Sequence, residues 1–545
     1  MPILQWIGKE KVVNHHLKVP YHVLERKYSY DEKGQQEGDN GSENMIIHGD
    51  NLLALKTLLP KYEGKVKCIY IDPPYNTGNE GWVYNDNVND PQIKKWLGEV
   101  VGKEGEDLSR HDKWLCMMYP RLRLLQKLLA EDGIIAVSID DNEIYYLGIL
   151  LDSIFGASNR LACAPWLAEP SGGKEKTKIR NGHEYLLIYT NGSIESLSRD
   201  ERSTGDLALK DKFGNYKKGR ELRKWGGTSQ REDRPNQWFG IKSPNGEIVY
   251  PYKNDGTEGH WRWSKKNEGM KKIMEDPDYA HWEWCPYDEG VLVNGQAGRW
   301  VPFEKIRDTT KSIGWTSWLA NVGHNADGTA ELKAIFGKKI FDTPKPLALI
   351  SWVVSLYKGN DKNVIILDSF AGSGTTAHAV LKANQEDGGH RKFILIEMMD
   401  YADSITAKRV KRVIHGYGEG KKAIPGTGGD FSYYELGAPL MKDGFLNEEV
   451  GEDVIRQYVY FMDTKENQVT EKADEPYFLG KHLETAYYFY YKKEETTVLS
   501  YDFLSTIKTK AEAYVMYADQ CLLSGAELMK YHITFKKIPR DIARL

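Results

Sequence analysis

Short apolar runs alternate with amphipathic stretches in two separate parts of the chain. Helical spacing of apolar residues marks 113–129 in the first part and about 375–383 in the second. The strand-like runs are 68–72, 133–140, 184–190, 364–370 and 392–398. Runs this short and this apolar fit strands that are buried on both faces of a parallel sheet. The alternation of strands and helices therefore predicts an α/β fold with a doubly wound, mostly parallel sheet.

The segment 191–340, between these two parts, has a different character. It is rich in Gly, Asn, Lys and Arg, and it holds nine of the 15 tryptophans, so we interpret it as an inserted domain of another kind. Beyond Gly437, the runs 485–491 and 496–501 predict a β-hairpin ahead of a small α/β tail. The predicted bounds are an N-terminal arm at 1–44, two core halves at 45–190 and 341–436, the insertion at 191–340 and a C-terminal domain at 437–545.

Composition excludes several classes of protein. Hydrophobic residues make up 40% and charged residues 28% of the chain, as in ordinary globular proteins. The sequence has no signal peptide and no apolar stretch long enough to span a bilayer, which predicts a cytoplasmic protein that does not enter a membrane. The five cysteines form no CxxC pair, so neither a disulfide framework nor a metal site is expected. Because the net charge is −4, any contact with nucleic acid must come from a local patch.

The most specific motif is Asp72-Pro73-Pro74-Tyr75, which follows an apolar strand. In open α/β sheets, ligands bind beyond the carboxyl ends of the strands. The oxygen of Asp72 can accept hydrogen bonds from the exocyclic amino group of a base and localise its lone pair toward an electrophile. The two prolines restrict the backbone and so hold a main-chain carbonyl as a second acceptor. Tyr75 offers a flat face on which an unstacked base can lie, while a proline-stiffened loop with a packed tyrosine is the plain structural alternative.

A second motif spans Leu367 to Thr376, with Gly372 and Gly374 in a turn between strand and helix. The lack of a Cβ there lets a ligand approach the backbone, and the helix that begins near Thr375 directs free N–H groups toward a carboxylate. No GKS/T tail follows, which excludes a phosphate-binding Walker loop. Glu397, about 25 residues further on, ends the next strand and can accept hydrogen bonds from ribose hydroxyls. NAD, whose sites also place an acid there, remains the rival ligand at this point.

The combination of DPPY and FAGSGTT resembles the amino-methyltransferases of DNA, and the order of the two motifs is similar to that of their β-class. Finer features resemble the methylation (Mod) subunits of type III restriction–modification systems. They are His48-Gly49-Asp50-Asn51, Asn76-Thr77-Gly78-Asn79, Arg110-His111-Asp112-Lys113-Trp114, Thr343-Pro344-Lys345-Pro346 and Tyr433-Tyr434-Glu435-Leu436-Gly437. The resemblance covers 45–190 and 340–440 and is absent in the middle. It implies an S-adenosylmethionine-dependent methyltransferase fold with circularly permuted motif order and an inserted target-recognition domain.

The resemblance also implies roles for individual residues. Asp50 would contact the adenine amino group of S-adenosylmethionine, and Glu397 would contact its ribose. Thr343 and Lys345 would close over the methionine carboxylate. The residues that would line the methionine part are Asp368, Phe370, Gly372 and Gly374. His183-Glu184-Tyr185 matches a family segment beside the target-base pocket, but His183 is given no catalytic role.

The insertion contains a candidate surface for DNA. From Leu207 to Lys224 there are seven Lys or Arg against two Asp or Glu, with Tyr216 and Trp225 beside them. Basic residues contact phosphates and aromatic residues stack on bases, whereas a solvated charged face is the plain alternative. The residues expected to contact DNA are Lys217, Lys218, Arg220, Arg223 and Lys224.

These features together predict a site-specific enzyme that methylates N6 of a flipped-out adenine in double-stranded DNA, as part of restriction–modification or phage defence. The methyl group would pass directly from S-adenosylmethionine, without a metal or a covalent intermediate. Asp rather than Ser at position 72 favours adenine within the family, but N4 of cytosine stays open as a target. RNA or protein glutamine methylation and an inert DNA-binding specificity subunit are further alternatives. The protein partners that the resemblance allows are a second copy of the chain and a helicase–nuclease restriction subunit.

Overall fold

The chain forms two compact units, each described here by itself. Arg199–Trp315 is one unit, and Met1–Ser198 together with Thr316–Leu545 is the other. The computed structural model describes residues 4–77, 95, 98–99, 110–172, 179–192, 197–357, 362–442, 444–465, 469 and 472–539.

The larger unit is built on a sheet of ten strands. In chain order they are β1 (His22–Asp31), β2 (Gly34–Gln36), β3 (Met45–His48), β4 (Val66–Ile71), β5 (Leu129–Ile139), β6 (Arg160–Leu167), β7 (His183–Thr190), β8 (Ile365–Asp368), β9 (Lys392–Glu397) and β10 (Phe431–Pro439). Their order across the sheet is β2-β1-β10-β3-β9-β8-β4-β5-β7-β6. The six strands from β10 to β5 are parallel, and antiparallel pairs flank them on both sides. The predicted mostly parallel α/β sheet is confirmed.

Seven of the described α-helices of the larger unit connect strands of this sheet. They are α1 (Asn51–Tyr62), α2 (Arg110–Leu128), α3 (Ile144–Phe155), α4 (Asn325–Phe336), α5 (Leu347–Leu356), α6 (Thr375–Asp387) and α7 (Lys408–His415). Leucines of α1, α2 and α3 pack with strand residues such as Ile69 and Val137 in one core cluster. Residues 114–118 of α2 are all buried, so this helix is enclosed on more than one face and its leucines belong to that core.

The predicted N-terminal arm is not separate from the sheet. Within it, β1 pairs with both β2 and β10, and the side chains of Tyr28, Ser29 and Tyr30 are buried. The same arm also contains the short helices Lys9–Val12 and His15–Lys18. Residues 25–27 of β1 are exposed and charged, and β2 is Gly34-Gln35-Gln36, so these two strands lack the continuous apolar runs that mark the central strands.

The unit Arg199–Trp315 is antiparallel. Its main sheet has the order His281–Pro286, Gly298–Ile306, Gly214–Glu221 and Leu209–Asp211. Asp200–Ser203 pairs with Thr310–Ile313, Ile241–Lys242 pairs with Ile248–Val249, and a helix spans Glu268–Glu275. Trp261 lies at the centre of a core cluster with Phe239 and Met270. This unit lies inside the predicted insertion 191–340, and the five domain bounds remain a prediction.

The predicted hairpin between 485–491 and 496–501 is wrong. Thr485–Phe489 instead pairs antiparallel with Phe478–His482 and parallel with Ala513–Ala518, which pairs in turn with Ile533–Lys537. Val498–Leu499 pairs with Gln520–Cys521. The helices here are Glu452–Thr464, Tyr501–Ser505 and Gly525–Lys530. Parallel partners lie far apart in sequence, which is why a search for adjacent runs does not find them.

None of the helices in the described part of the chain is both long enough and apolar enough to cross a membrane.

Candidate active site

Four acidic residues meet along one edge of the sheet. Asp50 follows β3, Glu397 ends β9, Asp368 ends β8 and Asp72 follows β4, and these four strands are neighbours in that order. Because the strands are parallel, their carboxyl ends lie side by side, at the edge where α/β proteins bind ligands. The structure therefore brings the two predicted motifs together.

The proline pair after β4 is held by an indole. The Nε1 atom of the fully buried Trp114 donates to the carbonyl oxygen of Pro74 at 2.6 Å. This bond ties the Asp72 loop to α2 and explains the tryptophan of the 110–114 motif. Since the carbonyl of Pro74 already accepts a hydrogen bond, the carbonyl of Pro73 is the better candidate for the predicted second acceptor.

Asp72 belongs to a buried ion cluster. The Nζ atom of Lys345 lies 3.1 Å from Oδ2 of Asp72 and 3.3 Å from Oε2 of Glu184. The hydroxyl of Tyr75 donates to the same Oε2 atom at 2.8 Å. Burial by itself lowers the pKa of Lys345, but the two carboxylates outweigh burial and raise it, so the side chain is an ammonium. Burial, together with Asp72 and Glu184, raises the pKa of Tyr75 well above its ordinary value, so its hydroxyl keeps its proton.

Lys345 and Glu184 have partners that the sequence does not predict. Lys345 was expected at the methionine carboxylate of a cofactor, but its ammonium lies between Asp72 and Glu184, 4.8 Å from the ring centre of Tyr75. The resemblance places Glu184 in a segment beside the target-base pocket but gives it no role. The signal that could have found it is a charged residue at the start of an otherwise apolar strand.

The carboxylate of Asp368 accepts two hydrogen bonds from the glycine loop and the helix that follows it. Its Oδ1 accepts from the backbone N–H of Phe370 at 3.0 Å, and its Oδ2 accepts from the hydroxyl of Thr376 at 2.6 Å. Burial raises the pKa of Asp368 to about 7, with Asp72 and Glu397 adding to the rise and the two hydrogen bonds opposing it. The expected contact of Asp368 with a cofactor remains a prediction.

The glycines of this loop are explained by backbone conformation. Gly372 and Gly374 have φ of 52° and 78°, where side chains are strained. A Cβ on Gly374 would lie 3.1 Å from the carbonyl oxygen of Thr406. The protein's own backbone, and not the space needed by a ligand, therefore disfavours a side chain at this position. Thr375 begins α6 as predicted, but its hydroxyl accepts from the buried guanidinium of Arg409 at 2.7 Å and is turned into the protein.

Asp50 caps a helix. Its Oδ1 accepts from the backbone N–H of Leu52 at 2.7 Å, at the start of α1. The buried Arg121 donates to Asn51 at 2.6 Å, and Asn51 donates to the carbonyl oxygen of Ser369 at 3.0 Å. The start of α1 is thereby fixed against the glycine loop. The predicted contact of Asp50 with the adenine of a cofactor is a further role that this cap does not require.

Glu397 also organises the backbone of the site. Its two oxygens accept from the N–H groups of Gly372 at 2.8 Å and Met399 at 3.0 Å. A carboxylate has about four acceptor positions, so ribose hydroxyls can still bind it. Phe370 is half-buried against the core, and Thr343 is half-buried in the loop ahead of α5.

A second polar cluster forms around Asn76, the residue after Tyr75. Asn76, which has φ of 58°, donates to the carbonyl oxygen of Arg110 at 3.1 Å and to Oε1 of the fully buried Glu143. Nδ1 of His111 lies 2.7 Å from the same oxygen. Glu143 is absent from the predicted site. Residues 78–79, the end of the predicted NTGN motif, lie outside the described part of the chain.

The five basic residues predicted to contact DNA differ in exposure. They are Lys217, Lys218, Arg220, Arg223 and Lys224. Lys218 and Arg220 are exposed on the strand Gly214–Glu221, although Lys218 also pairs with Glu283 at 2.5 Å. Arg223 is buried, and its Nε atom donates to Glu221 at 2.7 Å. The prediction for Arg223 is therefore corrected, because its guanidinium is used inside the unit. Lys217 and Lys224 are half-buried.

Comparison with known proteins gives a consistent result. Residues 66–408 match the N6_N4_Mtase family model, described as DNA methylase. The EcoPI Mod subunit of a type III restriction–modification enzyme from Escherichia phage P1 is 35% identical over 67% of this chain and 58% of its own length. The StyLTI Mod subunit from Salmonella typhimurium is 30% identical over 74% and 62%. The type II methyltransferase M.KpnI from Klebsiella pneumoniae is 34% identical over 68% and 84%. The chain thus spans about three fifths of the length of these two Mod subunits.

Proposed function

Because the chain belongs to the DNA methylase family, we propose that it transfers a methyl group from S-adenosylmethionine to an exocyclic amino nitrogen of a base in double-stranded DNA. The observation that carries this proposal is the placement of Asp72 and the glycine loop at the carboxyl ends of the adjacent strands β4 and β8. Asp72, the proposed acceptor of the amino group, and the glycine loop, the proposed cofactor site, then lie at the same edge of the sheet. We infer N6 of adenine as the target, since residue 72 is Asp and not Ser, with N4 of cytosine as the alternative.

The site suits a cationic cofactor. Four carboxylates line the edge, and the hydroxyl of Ser369 is buried without a hydrogen-bond partner in the described part of the chain, as expected where a ligand completes a site. S-adenosylmethionine supplies an activated methyl group when it is bound. The glycine loop, the start of α6, Asp50 and Glu397 would hold it, and the free N–H groups of α6 suit its carboxylate.

The residues of the chain would prepare the base. Asp72 accepts hydrogen bonds from the amino group and localises its lone pair, with the carbonyl of Pro73 as a second acceptor. The base must leave the helix to reach them, at a cost of a few kcal/mol. Stacking of the base on the ring of Tyr75 offsets about 1–3 kcal/mol of that cost. The ammonium of Lys345 lies 3.1 Å from Oδ2 of Asp72 and would hold that carboxylate in place as the acceptor.

The test is methyl transfer itself. Incubation of the purified chain with labelled S-adenosylmethionine and duplex DNA, followed by separation of the nucleosides, should place the label in N6-methyladenine. Label in N4-methylcytosine would support the alternative target. Label in RNA or protein, or no transfer under conditions where a DNA methylase of known site is active, would contradict the proposal.

We further propose that the unit Arg199–Trp315 reads the target sequence, since it interrupts the methylase and exposes Lys218 and Arg220. Protein partners are proposed from the relatives, because two of them are named as subunits of larger enzymes. A restriction subunit, with helicase and nuclease activity, and a second copy of the chain are the candidates. Co-purification and light scattering of the chain with and without that subunit distinguish them.

A further inference from the structure

The role of Lys345 is the point where the structure departs most from the family-based expectation. Its ammonium lies in the loop ahead of α5, yet it reaches Asp72 after β4 and Glu184 at the start of β7. The exposed fractions of the three side chains are 6%, 9% and 16%, so bulk water solvates little of this cluster. In such surroundings an ammonium and a carboxylate hold each other's position more firmly than a surface pair does.

This placement does not suit a residue that closes over a cofactor carboxylate. The Nζ atom faces two carboxylates and lies 4.8 and 5.8 Å from the ring centres of Tyr75 and Trp166. To bind a cofactor carboxylate it would have to leave Asp72 and Glu184 as two buried negative charges. Separating a buried ion pair in this way is strongly unfavourable.

Glu184 connects the ammonium to the ring of Tyr75. One oxygen, Oε2, accepts from the Tyr75 hydroxyl at 2.8 Å and from Lys345 at 3.3 Å. The other oxygen lies 3.4 Å from Nδ2 of Asn325, at the start of α4. One carboxylate therefore sets the position of both the ring and the ammonium.

We propose that Lys345 and Glu184 are positioning residues for methyl transfer: Lys345 orients the carboxylate of Asp72, and Glu184 holds Lys345 and the ring of Tyr75 in place. The proposal rests on the proposed function, in which Asp72 accepts the amino group and Tyr75 stacks on the base. A single ion cluster then fixes the acceptor and the stacking ring relative to each other. Lys345 contributes to the chemical step and not to cofactor affinity.

The first experiment separates these two roles of Lys345. Lys345→Met keeps the length of the side chain and removes the charge, and Lys339→Met, at an exposed position, is the matched control. We expect the single-turnover rate of Lys345→Met to fall by about 100-fold, the effect of removing one preorganised charged group from an active site. Its affinity for S-adenosylmethionine, measured by calorimetry, should stay within a few-fold of the unchanged protein, which also reports that the variant is folded.

If cofactor affinity and rate fall together, the proposal is overturned, and Lys345 would instead bind the cofactor carboxylate. An unchanged rate would overturn it as well. If the unchanged protein transfers no methyl group to DNA, the proposed function fails, and that outcome is distinct from either of these.

The second experiment uses pH. The charged and titratable groups that face Lys345 are Asp72, Glu184 and Tyr75, and Asp72 in turn raises the pKa of Asp368. Glu184→Gln removes one of the two charges that raise the pKa of Lys345, so its ammonium should lose its proton at lower pH. The alkaline limb of the pH–rate profile should then move to lower pH.

Tyr75→Phe is the matched control, because it removes the other hydrogen bond to Glu184 without changing any charge. It should raise KM for DNA and leave the alkaline limb in place. A Glu184→Gln enzyme that is slower at every pH, with both limbs unmoved, would mean that Glu184 has a merely structural role.

Discussion

The hydrogen bond from Trp114 to Pro74 gives the sharpest prediction about the catalytic loop. Trp114→Phe keeps an aromatic ring but removes the N–H that donates to the Pro74 carbonyl at 2.6 Å. A buried carbonyl left without its donor costs about 1–3 kcal/mol of unfolding free energy. The smaller ring adds about 1 kcal/mol through lost contacts in a fully buried position. We therefore expect the variant to lose about 2–4 kcal/mol and to remain folded.

The effect on catalysis should exceed the effect on stability. The prolines carry the position of Asp72, and a displacement of about 1 Å in a reacting group can cost about 100-fold in rate. The assay is single-turnover methyl transfer at saturating DNA and cofactor, beside urea unfolding. Trp261→Phe is the control, since this buried indole donates in the same way to the carbonyl of Phe239 in the other unit. It should lose comparable stability and keep its rate at saturation. Equal rates for the two variants would refute the anchoring role of Trp114.

Three further predictions follow from the geometry. Gly374→Ala should lower the free energy of unfolding, measured in urea, by about 1–3 kcal/mol, because φ is 78° and a Cβ would press on a backbone carbonyl. Unchanged stability would contradict this. Burial raises the pKa of Asp368 from 3.8 to about 7, so the folded protein holds this proton more tightly than the unfolded chain does. Its contribution to stability is full below about pH 4 and is lost as pH rises toward 7, and Asp368→Asn should flatten that decline in the unfolding midpoint. Lys218→Ala and Arg220→Ala should each reduce the slope of log affinity against log salt by about 0.9 if they contact phosphates, whereas Arg223→Ala should lower the stability of its unit.

The central strands could be predicted because each one is marked by a short apolar run within its own sequence. Runs such as 364–370 are apolar on both faces, and the observed strand Ile365–Asp368 lies within that run. Strands β1 and β10 could not be predicted from apolar runs, because residues 25–27 of β1 are exposed and charged and most of β10 is only half-buried. The error at 485–501 has the opposite cause, since two neighbouring apolar runs each pair with a strand from much later in the chain.

The same distinction holds for the site. The motifs identified Asp72, Tyr75 and the glycine loop because each motif is contiguous in sequence. They could not show that Lys345 reaches Asp72, or that Glu184 accepts from Tyr75, because these contacts join segments more than 100 residues apart. Charge counting likewise could not separate the exposed Arg220 from the buried Arg223.

The most direct test compares Asp72→Ala with the unchanged protein in two assays, calorimetry of S-adenosylmethionine binding and methyl transfer to duplex DNA. We expect this variant to bind S-adenosylmethionine with nearly unchanged affinity in calorimetry, because Glu397 and the glycine loop are the residues proposed to hold the cofactor. We expect it to form no detectable N6-methyladenine in duplex DNA. Near-normal formation of N6-methyladenine by Asp72→Ala would contradict the claim that this carboxylate prepares the amino group for methyl transfer.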